Sequence, residues 1–72
     1  MTASEFLRAF AAEAGTPVPS AHEIDELLAL AGLAAHASER TAAPIACWIG
    51  GASGLTAAQL LAAARRVAPG VR

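Results

Sequence analysis

The chain has 72 residues, 56% of them apolar, with six acidic and five basic side chains for a net charge of −1, and a single cysteine. That balance excludes a polyanion-binding surface, because nucleic acids and anionic membranes are met by a concentrated basic face; one cysteine excludes an internal disulfide and any four-cysteine zinc or redox site, and makes a reducing cytoplasm the expected compartment. A single domain this short buries only about 60 to 65% of its unfolded surface, and twenty-one of its residues are alanines with little to bury, so stability is expected to be modest or to depend on a partner.

The first expected helix starts at Thr2 or Ser4 and ends at Ala14, with Phe6, Leu7, Phe10 and Ala14 on one face and Glu5, Arg8 and Glu13 turned away from it. The same stretch has no basic n-region and carries charges inside its apolar pattern, so it does not read as a secretory signal. Gly15 supplies a stop. The following "GTPVPS" reads as an extended linker, since residues before proline avoid the helical region.

Ser20 opens a second helix through the capping box S-A-H-E. Ile24, Leu27, Leu28, Ala31, Ala34 and Ala35 then form one stripe of a 3.6-residue period, ending near His36. Leu30 falls on the flank of that stripe and Leu33 roughly opposite its centre, so this helix offers apolar surface on two sides.

Thr41 is the expected cap of a third helix beginning at Ala42 and ending near Gly51, with Pro44 tolerated in the first turn. Ile45, Trp48, Ile49 and Ala52 make one stripe while Ala43, Cys47 and Gly50 fall on the other side, and neither side is polar. The apolar run over residues 42–55 is too short, and too interrupted by glycine, to span a membrane. After "GASG", the box "TAAQ" from Thr56 to Gln59 opens a fourth helix, expected to carry Leu60, Leu61, Ala64 and Val67 inward and to stop at Pro69 and Gly70. No strand pattern or repeat competes, so the expected fold is all-α: a compact bundle of four short helices forming a single domain over residues 1–72.

Reactive chemistry finds little support in these residues. Cys47 is the one candidate nucleophile, but its neighbours Ala46 and Trp48 are apolar, which suits a small buried hydrophobe better than an activated thiol. His22 and His36 match no zinc spacing, and the glycines of "GGASG" lack both the preceding strand and the Lys-Ser/Thr of a phosphate loop. Glu23 is accounted for by its cap and Glu26 by solvent. A carrier for phosphopantetheine would need an acidic residue before a serine at a helix start; Ser53 has none and Ser20 is used as a cap. No catalytic residue, cofactor or metal is therefore assigned. Arg40 reads either as a solvated loop residue or as the fork that pairs with an acid of the second helix or of a partner, and Trp48 as a core anchor that can also present an edge for binding.

The stretch "AAHASERTAAPIACWIGGASG" resembles a small bacterial domain of unknown function found alone or attached to molybdenum-cofactor nucleotidyltransferases of the MobA type. Leu27, Leu28 and Leu30, the pair Ala35 and His36, Arg40, the run Ala42, Ala43 and Pro44, and Gly50 carry the resemblance. The chain departs from that pattern at Thr41, where the family tends to have proline, and at Ala46 and Cys47, where it tends to have hydroxyl residues; the second departure makes the third helix more apolar. The resemblance implies an association with molybdenum-cofactor or molybdoenzyme biology rather than a reaction.

A helix apolar all round must be covered on both sides, and three other short, alanine-rich helices supply little cover. The expected function is therefore a non-catalytic interaction module, an accessory protein or small subunit. Its expected partner is a protein, either a larger enzyme subunit or nucleotidyltransferase or a second copy, with no nucleic acid or membrane involved. Leu33, Ile45 and Trp48 are the expected apolar centre of the binding face, with His36, Arg40 and Pro44 around it. The alternatives are a homodimer holding a small apolar or nucleotide ligand beside the third helix and, in a third class, an enzyme using Cys47.

Overall fold

A computed structural model describes residues 1–68, and these form four helices: α1 (Ala3–Ala14), α2 (Ala21–Ala37), α3 (Ala42–Ser53) and α4 (Ala57–Val67). The described residues contain no strand, and the fold is the expected all-α bundle. The expected stop at Pro69 and Gly70 lies outside the described residues.

Three helix starts share one device. In α1 the Thr2 amide donates to the Glu5 carboxylate at 2.7 Å while the Glu5 amide donates to the Thr2 hydroxyl at 3.1 Å. Ser20 and Glu23 repeat the exchange at α2, and Thr56 and Gln59 at α4. Each box satisfies amides that have no partner inside their own helix. Hydrogen bonds from the Thr2 and Ser20 backbone amides, with those of the same residues' side chains, hold the Glu5 and Glu23 carboxyls below the ordinary glutamate value.

The start of α3 differs from the expectation. Thr41 has helical angles, φ −65° and ψ −17°, and its side chain makes no cap bond. An N-cap needs an extended backbone for its hydroxyl to reach forward. Here a tight turn does that work instead: the Ala42 amide donates to the Glu39 carbonyl and the Ala43 amide to the Arg40 carbonyl. The helix also runs two residues past its expected end, to Ser53, whose hydroxyl donates to the Gly50 carbonyl before Gly54 turns the chain at φ 76°.

The central element is α2, along which α3 and α4 both pack. Its inward residue is Leu30, only 5% exposed, whereas Leu28 of the expected stripe is 66% exposed. Two neighbours on one helix define the burial arc, and the arc centres on the residue between them rather than on the strongest apolar stripe. The same correction applies to α4, where Leu60, Leu61 and Ala64 are half-buried as expected but Val67 is 81% exposed. Gly50 sets the closest approach of α3 to α4, since a Cβ built there would lie 2.7 Å from the Leu60 Cδ1.

The first helix contributes little to this core. It packs lightly on the rest of the chain, and Phe6, Leu7 and Phe10, expected inward, are all exposed, Phe10 at 60%. The Phe6 and Phe10 rings stack on each other at 5.8 Å instead. The radius of gyration is 12.7 Å, against about 11 Å for a 72-residue folded chain.

The buried apolar residues among those described are Ala11, Leu30, Ala57 and Ala68, and no large side chain is fully buried. The accessible surface is 5376 Å², whereas a folded chain of 7.2 kDa presents about 4,100 Å² and its unfolded form about 10,400 Å². The chain therefore hides about half of its unfolded surface rather than about 60%.

Candidate interaction face

The candidate site is built on α3, because this helix turns its small residues inward. Ala43, Ala46 and Cys47 are half-buried and Gly50 is buried, while Pro44, Ile45, Trp48, Ile49 and Ala52 are exposed. Trp48 is 73% exposed. Glycine and alanine on the inner side let the α3 backbone approach α2 and Leu60 of α4 closely, and the helical period then sends the bulky stripe to solvent. An exposed stripe of tryptophan and two isoleucines has the composition of an interface centre rather than of a solvated helix.

Of the six expected partner-binding residues, the structure brings Pro44, Ile45 and Trp48 onto this one exposed face of α3. Ile45 and Ile49 border a shallow hollow with Ser38, Glu39 and Thr41 at the α2–α3 corner. Leu33 is half-buried on α2 and faces a different space, an apolar groove that Ile49 also lines. His36 and Arg40 are exposed and line neither of these two hollows. Arg40 forms no ion pair among the described residues, where the one contact of a basic side chain with a carboxylate is His22 Nε2 to Glu26 Oε2 at 3.6 Å along α2. Of the two readings of Arg40, the pairing with an acid of the second helix is thus not seen there, and the residue stands exposed in the α2–α3 loop.

The groove has a volume of about 600 Å³ and lies between α3 and α4 over Leu30 and Leu33, walled by Ala46 and Ile49 on one side and Ala63 and Val67 on the other. On the other side of the Gly50–Leu60 contact, Cys47 borders a second hollow with Pro17, Val18, Pro19 and Leu27. Among the described residues no polar or charged side chain is buried, and no three histidine, cysteine or acidic side chains gather in a way that could hold a metal ion. No helix among them is long and apolar enough to cross a membrane.

The residues missed from sequence are Ile49, Val67 and Leu28, all apolar and exposed. Ile49 was readable, since it shares the stripe of Ile45 and Trp48. Val67 and Leu28 were not, because their stripes also contain residues that do pack inward. Comparison with curated proteins and with solved structures yields no match. A family model does match, over residues 1–72, and by it the chain belongs to the family described as a domain of unknown function, DUF6457.

Proposed function

We propose that the chain is a non-catalytic interaction module that docks on a larger protein through the outer face of α3, as an accessory protein or small subunit in molybdoenzyme or molybdenum-cofactor maturation. The observation that carries the docking is the inversion of α3, whose bulky residues Ile45, Trp48 and Ile49 face solvent while its small ones face the core. An interface centred on such a cluster draws most of its affinity from a few aromatic and aliphatic anchors. The molybdenum association rests on the resemblance of the run from His36 to Pro44 to domains attached to MobA-type nucleotidyltransferases.

Co-purification from the native host tests both parts. The expected partner is a molybdenum-cofactor nucleotidyltransferase or a molybdoenzyme subunit, and Trp48→Ala is expected to weaken its binding by about 30-fold or more, the effect of losing an anchor worth about 2 kcal/mol. The isolated variant keeps its helical circular dichroism, because Trp48 contributes little to the chain's own core. Undiminished binding by Trp48→Ala removes this face from the interface. A second reading, a homodimer that holds a small apolar ligand, is favoured by the α3/α4 groove, whose 600 Å³ falls in the range of small-molecule sites, about 300 to 1,000 Å³. A ligand seated there would raise the thermal midpoint of the isolated chain equally in the wild type and in Trp48→Ala.

A further inference from the structure

Three features of the molecule are each incomplete and fit one another. The unit of α2, α3 and α4 has an apolar groove open along one side, and no residue of α1 lines it. The first helix has an apolar face, Phe6, Leu7 and Phe10, that its own chain leaves exposed. Its linker leaves from the other side of the Gly50–Leu60 contact, where Pro17, Val18 and Pro19 border a separate hollow. The groove is thus a three-helix arrangement lacking a fourth helix, and α1 is seated only at Ala11, with its phenylalanine face left uncovered.

The surface area is large enough for the missing contact to be another chain. The accessible surface of 5376 Å² exceeds that of a folded chain of 7.2 kDa by about 1,250 Å², more than the roughly 800 Å² that each partner contributes to a standard interface. Charge is complementary at one point of the rim: Arg65 and Arg66 of α4 stand next to the groove-lining Ala64 and Val67, and on α1 Glu13, seven residues from Phe6, borders the phenylalanine face rather than turning away from it as expected, while the Glu5 carboxylate is held in its own capping box. Residues 16–20 are free of helix, and with the Thr16 amide tied to the Ala11 carbonyl at the end of α1 the four residues from Pro17 to Ser20 give α1 a reach of up to about 14 Å.

We infer that the occupant of the groove is a second copy of this chain: two copies pair across a two-fold axis, each laying its α1 in the α3/α4 groove of the other with Phe6 and Phe10 against Leu33, Ile49 and Val67. Exchange of an identical element is closed and self-complementary, so it stops at two chains. The pairing rests on the interaction-module reading and shares only Ile49 with the outer face of α3, so it leaves Ile45 and Trp48 free for the larger partner.

The test uses the full chain in sedimentation equilibrium together with site-directed cross-linking. In a Cys47→Ser background, one preparation carries Phe10→Cys and another Val67→Cys; the two are mixed, allowed to exchange and oxidised. The expected result is a dimer in which one chain of each kind is joined by a disulfide. Val67→Arg, a change at an exposed position, is expected to shift the wild-type dimer to monomer with helix content retained, as is Phe10→Asp. A monomer at every concentration the sedimentation run reaches overturns the proposal, as does a dimer that gives no Phe10–Val67 cross-link or that persists in Val67→Arg. Trp48→Ala separates this pairing from docking on a larger protein: it leaves the dimer intact. A monomer that still captures the molybdenum-cofactor partner through Trp48 overturns only the pairing, and a cross-linked dimer indifferent to that partner overturns only the docking.

Discussion

The helices α3 and α4 are nearly equal in length, lie against the same α2 and touch each other at Gly50 and Leu60, yet they bury opposite kinds of surface. In α4 the leucines face inward while Gln59, Arg65 and Arg66 face water. In α3 Ala43, Ala46 and Gly50 face inward while Ile45, Trp48 and Ile49 face water. The difference shows that a helix apolar on both sides is oriented by closeness of approach: the side that admits a neighbour's leucine against bare backbone becomes the core side. What remains outside is then decided by the helical period, and in α3 it is the side chains of highest apolar area.

The largest expected effect comes from removing the floor on which both helices rest. Leu30→Ala should cost about 2 to 5 kcal/mol, read as a fall in urea midpoint that α3 and α4 share; a loss below about 1 kcal/mol would mean that the two helices do not depend on the same residue. Their starts should respond unequally. Thr56→Ala removes a capping box and should cost about 1 kcal/mol, while Thr41→Ala, which removes no cap bond, should stay within about 0.5 kcal/mol, both measured by thermal unfolding.

Smaller still is the contrast within α3 itself. Gly51 has open space where a Cβ would be, so Gly51→Ala should stabilise by about 0.5 to 1 kcal/mol through helix propensity. Gly50→Ala should forfeit that gain, because its Cβ must displace the Leu60 Cδ1 at 2.7 Å. Equal midpoints for the two variants would show that the Leu60 side chain yields to the added methyl without loss of packing.

The smallest effect is on acidification. Glu5 and Glu23 have folded values below the ordinary 4.5, so the unfolded chain takes up protons first and stability falls with pH. The contribution is complete above about pH 4.5 and is lost as pH drops through the lower folded values. The Gln59 box of α4 does not titrate. The double variant Glu5→Gln, Glu23→Gln keeps both boxes in amide form, and its thermal midpoint should vary less with pH in the acid range than that of the wild type.

Local signals carried most of the fold. The boxes at Ser20 and Thr56 and the glycine stop after Ala14 each act over three or four residues, and each was legible in the sequence. The box at Thr2 was equally readable in the T-A-S-E spacing, which resolves the start at Thr2 or Ser4 in favour of Thr2 as the cap. Tertiary phase was less legible. Leu30 sat on the flank of the apparent stripe and is the most deeply placed leucine, because its burial depends on where two other helices land. For the site, the surplus of apolar surface on α3 was legible, but which of its sides faces out was not, since that follows from the Gly50–Leu60 approach. Leu33 shared a sequence pattern with the α3 face but opens on the groove.

The absence of a fully buried large side chain among the described residues has a calorimetric consequence. The heat-capacity change of unfolding scales with the apolar surface newly exposed to water, so a single chain that hides only about half of its surface should unfold with a small increment and a shallow, broad stability curve. Covering the outer face of α3 and the α3/α4 groove would supply the missing increment, so the sharpness of the melting transition would report occupancy of those two surfaces.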